Sequence, residues 1–193
     1  MYKALALAKK IQECLDEGRF FEIEGVVKTY EKESGELKAS NILYEQKRQL
    51  YQTIYDLERL RPEWNRVLEE MYRTLYAGGE ESYVQLQREF KAYLSACPKR
   101  LQQWENVGLQ LFVFFVYTYF CGAVYDDWIY SKMALAVHST EFIRELLMAR
   151  WKQTGQLEME DYVELSYRYA REIEHSDQNL NELEEVFMSE KHI

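Results

Sequence analysis

The 193-residue chain is 47% apolar and 30% charged, with a net charge of −9, an ordinary composition for a globular protein able to bury a core. The acidity is uneven: residues 1–98 hold 15 basic and 17 acidic groups, residues 99–193 hold 9 and 16. This excludes the clustered Lys and Arg that phosphate-backbone binding needs, so nucleic acid is not an expected partner. Cys14, Cys97 and Cys121 lie far apart, with no CxxC or CxxH spacing, and write neither a zinc site nor an iron–sulfur site. Their odd number, and an apolar run of only Ala4–Ala8 before Lys9 and Lys10, fit a cytoplasmic protein.

In chain order, Leu5, Ala8, Ile11 and Leu15 set a helical period over residues 2–17, with Gly18 as its stop. A second helix is predicted over Phe20–Glu33, ending near Ser34 and Gly35. Leu37, Ile42, Leu43, Leu50, Ile54, Leu57 and Leu60 predict a long helix over 36–60. Pro62 sits where a helix starts, since its missing N–H costs nothing in the first turn, and Trp64 to Leu75 continue the period. Gly78-Gly79 breaks it, Glu80–Ala96 resumes it, and Pro98 opens the next helix. Further helices are predicted over Trp128–Trp151, Asp161–Glu174 and Asp177–Met188, the last capped by Ser176. Eight or nine helices without a strand make an all-α, irregular multi-helix bundle, expected to form a single domain over 1–193.

The stretch Val107–Tyr125 holds no charge and only Gln110 as a strongly polar side chain. It nearly reaches the ~20 apolar residues of a membrane span. The amphipathic helices around it need a shared apolar partner, and Tyr117, Tyr119 and Tyr125 bring much hydroxyl for hydrocarbon. The expectation is therefore a central core helix at about 101–124, covered on every side, and no membrane span.

Three constellations are candidates to carry chemistry, and the residues alone demonstrate no catalysis. In SYRYAREIEHSD, Tyr162, Leu165, Tyr169 and Ile173 form an apolar stripe, and Arg168, Glu172 and His175 form a polar one beside it. With Arg171 and Glu174 this is either a salt-bridged face, paired Arg168–Glu172, or a polar cluster able to hold a charged group. Glu172-x-x-His175 is half of a di-iron spacing, and its nearest companion is the reversed His138-x-x-Glu141, so no metal site is assigned. Within Trp128–Trp151, His138, Glu141, Arg144 and Glu145 interrupt an apolar run, and Arg144 is expected to face the Arg168–Glu172 stripe. Asp126 and Asp127 end the apolar stretch or cap the next helix. No phosphate loop or nucleophile elbow is present.

The runs AVYDD, AVHST…IREL…ARW and YAREIEHSDQNL, within the stretch Phe112–Leu183, resemble the C-terminal part of flagellin lysine-N-methylases. LALAKKIQECLDEGRFFEI and IYDLERLRPEWNRVL extend the resemblance more loosely to the first half. The resemblance implies methyl transfer to lysines of a flagellin-like protein substrate. For the full-length family it also implies S-adenosylmethionine and an iron–sulfur cluster on an upstream cysteine-rich segment. Neither group is expected on this chain alone, which reads as a fragment or a shortened relative serving as a supporting or substrate-docking part. Glu141, Glu145 and Glu172 are then candidates to draw in a lysine cation, and Tyr117, Tyr119 and Tyr125 candidates to cradle it. A non-enzymatic interaction domain and a carboxylate–histidine metal protein are the alternatives.

Overall fold

The computed structural model describes residues 1–33 and 44–190. Among these the chain is helical throughout: α1 (Tyr2–Asp16), α2 (Ile23–Glu33), α3 (Tyr44–Asp56), α4 (Pro62–Leu75), α5 (Gly79–Ser95), α6 (Pro98–Tyr119), the single turn α7 (Ala123–Asp126), α8 (Ile129–Thr154), α9 (Met159–Ile173) and α10 (Asp177–Glu190). The all-α expectation holds, as do both proline starts. Gly18 and Gly155 take the positive φ that ends a helix, at 68° and 78°. Ser34, Gly35, Leu37, Ile42 and Leu43 lie outside the described residues.

The described helix nearest the predicted 36–60 ends at Asp56, earlier than Leu60. The cause is tertiary. Leu60 and Arg61 donate their backbone N–H groups to the Glu172 carboxylate at 2.9 and 3.3 Å, which turns the chain before α4 begins.

The chain sorts into two compact units. One is built from Met1–Asn41, Phe112–Ser139 and Leu183–Ile193. In it α1 packs on α2, Gln12 accepts the Tyr130 N–H at 3.1 Å, and the His138 ring stacks on Phe187. The other is built from Ile42–Leu111 and Thr140–Glu182. Its core holds the ring contacts Trp64–Phe142 and Phe142–Tyr169, and Leu68, Met71 and Ile143 are buried in the same unit. Gly78-Gly79 falls inside this unit.

The apolar helix at 98–126 is present and, by length and composition, long enough to cross a membrane. Its burial differs from expectation. Only 17% of its most apolar window is buried, and Leu109, Val113, Phe114, Tyr117, Val124 and Tyr125 are exposed. The helix covered on all sides is α8, where Ala134–Val137 and Phe142, Ile143 and Leu147 are at most 1% exposed. Hydropathy misses this because α8 also carries Lys132, Glu141 and Glu145, which are buried with partners.

Candidate functional site

Glu141 and Glu145 stand four residues apart on α8, hence on one face. Both are buried among apolar neighbours, which is expensive unless a cation joins them. Lys47 of α3 is that cation. Its Nζ lies 2.5 Å from Glu145 Oε1 and 3.5 Å from Glu141 Oε2. Tyr83 of α5 donates its hydroxyl to both oxygens of Glu145 at 2.9 Å, and Tyr76 adds a second hydroxyl at 3.2 Å. Burial works to lower the Lys47 pKa, but the charges of Glu145 and Glu141 outweigh it, so Lys47 sits above the ordinary lysine value. Burial, then the Glu145 charge, pushes Tyr76 and Tyr83 well above the ordinary tyrosine range.

Arg144 leaves this cluster in another direction. Its guanidinium lies 5.1 Å over the Trp104 ring and within 3.6 Å of Glu141 and Glu105. Gly108 makes this possible, because a Cβ there would stand 2.1 Å from Arg144 Nη2. The expected approach of Arg144 to the Arg168–Glu172 stripe is therefore corrected: its partners are on α6 and α8.

The second feature is a groove of about 370 Å³ between the start of α4 and one face of α9. Buried Trp64 and Glu172 line it. The expected Arg168–Glu172 pair does not form. Arg168 instead bonds Glu164 at 2.8 Å, one turn earlier, because Glu172 is spent on the two backbone N–H groups ahead of α4. Glu164 also takes Arg150 at 3.2 Å; its partial burial acts to raise its pKa, but the bonds and charges of Arg150 and Arg168 together outweigh that and hold it below the usual carboxylate value. Arg61 and Arg171 also face the groove, and Arg171 lies 5.1 Å from the Tyr167 ring. A carboxylate partner accompanies neither arginine among the described residues.

Asp126 belongs to neither of these. It accepts the Trp128 N–H at 2.9 Å and, with Glu184, holds buried Lys132 at 2.9 and 2.6 Å. Asp127 is an exposed residue at a left-handed φ of 61°. His175 is exposed just beyond α9, outside the groove, and no group of three His, Cys, Asp or Glu side chains suited to a metal occurs among the described residues. Tyr117 and Tyr125 are largely solvated, which is not how an aromatic cage presents its rings.

Of the sequence candidates, Glu141, Arg144 and Glu145 thus meet in one network and Arg168, Arg171 and Glu172 at one groove, while Asp126, Asp127 and His175 stand apart from both. Sequence reasoning missed Lys47, Tyr76, Tyr83, Lys132 and Glu184. The available signal was the Glu141–Glu145 spacing, which demands a cation and donors from elsewhere in the chain.

Comparison with known proteins adds one family. No curated protein and no solved structure matches the chain. The family model described as the FliB lysine N-methylase C-terminal domain matches residues 1–193. The match spans the whole sequence, and the chain belongs to the family of FliB lysine N-methylase C-terminal domains.

Proposed function

We propose that this domain is the supporting and substrate-docking part of a flagellin-modifying lysine methylase, acting in the cytoplasm beside a cysteine-rich portion that provides methyl transfer. What carries this reading is the state of the acidic side chains. A methyl-transfer centre needs a group free to take up and deprotonate a lysine ammonium. Here Glu145 already receives Lys47 and two tyrosine hydroxyls, and Glu172 receives two backbone N–H groups. Glu141 lies between Lys47 and Arg144. These carboxylates build a scaffold.

The cysteines agree with that division. A cubane or rhombic cluster wants four thiolates, and this chain has 3, of which Cys14 is buried and Cys121 exposed. They do not fit a cluster, so the proposal assigns both the cluster and S-adenosylmethionine to the cysteine-rich portion. The uncovered side of α6, with Leu109, Val113 and Tyr117, offers apolar surface for that portion to pack on.

The test is calorimetry on the purified chain. Flagellin is expected to bind with measurable heat and S-adenosylmethionine to give none. Donor binding by this chain alone would overturn the reading. Silence toward both would favour a non-enzymatic interaction domain.

A further inference from the structure

Tyrosines of α3, α4 and α5 stand in continuous ring contact. Tyr83 meets Tyr44 with ring centres 5.3 Å apart and stacks on Tyr76 at 5.7 Å. Tyr76 meets Tyr51 at 5.4 Å, and Tyr51 meets Tyr72 at 5.6 Å. The series runs from the surface inward: Tyr72 is 42% exposed and Tyr44 partly so, whereas Tyr83 is 1% exposed. Ring packing explains these contacts, but not what the hydroxyls meet. Phenols are among the most easily oxidised side chains, and rings this close exchange an electron readily.

A phenol that loses an electron becomes a strong acid, so the vacancy settles on the ring whose proton has a base within reach. Tyr51 donates to the Leu68 carbonyl at 3.1 Å and Tyr44 to the Tyr76 carbonyl at 3.3 Å, and neither acceptor is a base. Tyr83 donates to the Glu145 carboxylate at 2.9 Å, and the Gln87 amide donates to the Tyr83 oxygen at 2.9 Å. Tyr76 reaches the same carboxylate at the longer distance of 3.2 Å. Burial and the Glu145 charge stop Tyr83 from ionising by itself, so its proton leaves only together with an electron. When Glu145 takes that proton, Lys47 still has Glu141 at 3.5 Å as a counter-charge. The other ring cluster of this unit offers no such exit: Trp151 meets Tyr93 at 5.3 Å, but its buried Nε1 has no acceptor among the described residues.

We propose that these tyrosines gather a one-electron vacancy from the surface and hold it on Tyr83 as a neutral phenoxyl radical. A one-electron oxidant at the surface, of the class of peroxyl radicals or high-valent metal complexes, takes an electron from Tyr72 or Tyr44 and is reduced. An electron from Tyr83 refills that ring, directly for Tyr44 and through Tyr76 and Tyr51 for Tyr72. The Tyr83 O–H bond breaks and its proton forms an O–H bond on Glu145. The Gln87 N–H then remains as the donor to the bare phenoxyl oxygen. One electron from a reductant, with the proton returned from Glu145, restores the phenol. The inference goes beyond the docking reading and does not rest on it, since neither flagellin binding nor methyl transfer bears on it.

The test is laser flash oxidation of the purified chain by photogenerated tris(bipyridine)ruthenium(III), read by transient absorption and electron paramagnetic resonance. A tyrosyl radical is expected whose formation slows in heavy water, because a proton moves with the electron. Its lifetime should fall at least about tenfold in Tyr83→Phe, the weight of one hydrogen bond to a charged group, with circular dichroism unchanged. Gln87→Leu should leave the fold intact and raise the largest g component of the radical, since a hydrogen bond to the phenoxyl oxygen lowers it. Tyr93→Phe should change neither lifetime nor spectrum. A lifetime that Tyr83→Phe leaves unchanged would overturn the proposal, as would a radical that decays as fast as free tyrosine or collects as surface dityrosine. If Tyr83→Phe fails to fold, the isotope effect and the Gln87→Leu spectrum decide, and the absence of both changes overturns it equally.

Discussion

Lys47 Nζ and Glu145 Oε1 stand 2.5 Å apart, although 98 residues separate them in the chain. The pair ties α3 to α8, and Tyr76 and Tyr83 close the remaining lone pairs of the carboxylate. Breaking one side of a buried ion pair costs more than the pair contributes, since the survivor keeps its desolvation penalty. Lys47→Met is therefore expected to destabilise the chain by about 3–5 kcal/mol, and Tyr83→Phe by about 2 kcal/mol, the scale of one hydrogen bond to a charge. Urea unfolding of the two variants checks both the size and the order.

The same cluster predicts an alkaline limit. The folded pKa values of Lys47, Tyr76 and Tyr83 are all raised, so folding favours their protonated forms. That stability is fully present below the ordinary lysine and tyrosine values, 10.5 and 10.0, and is lost as pH rises past them. The melting temperature should drop steeply above about pH 10. The drop should be shallower in the double variant Lys47→Met, Glu145→Leu, which removes the lysine and the carboxylate together.

Gly108 and Arg144 make a third test. A methyl at Gly108 collides with the guanidinium, which is the movable end of a long side chain. Gly108→Ala should cost about 1–3 kcal/mol by expelling Arg144 from Trp104, Glu105 and Glu141. In an Arg144→Ala background the same change should cost far less. A double-mutant cycle by thermal unfolding measures that coupling.

The uncovered face of α6 predicts the opposite behaviour. Val113→Ser and Tyr117→Ser remove no packed side chain, since both residues are more than half exposed. Stability should stay within about 0.5 kcal/mol of the parent, while solubility rises and association with the cysteine-rich portion weakens. Size-exclusion chromatography of the mixed proteins reads the last effect.

Much of the fold is legible in the sequence because it rests on local physics. The 3–4 periodicity of Trp64–Leu75, the first-turn prolines 62 and 98, and the Ser176 cap each act within a turn or two, and each is where periodicity and capping rules put it. The long-range partners are not legible. Glu172 bonds backbone more than a hundred residues away, so its i−4 arginine neighbour turns to Glu164 instead. Burial also escapes hydropathy: the uncharged Val113 and Tyr117 are exposed, while the charged Glu145 is buried because Lys47 arrives from another helix. For the candidate site, the sequence names the carboxylates and arginines but neither the lysine nor the tyrosines that complete them.

The division of labour between this domain and a cysteine-rich portion is tested most directly by methyl transfer. The measurement is incorporation of labelled methyl from S-adenosylmethionine into flagellin lysines by the chain alone, by the cysteine-rich portion alone and by the two together. The account predicts transfer only when both are present, with the domain carrying Val113→Ser and Tyr117→Ser failing to support it. Methyl transfer by this chain alone would contradict it.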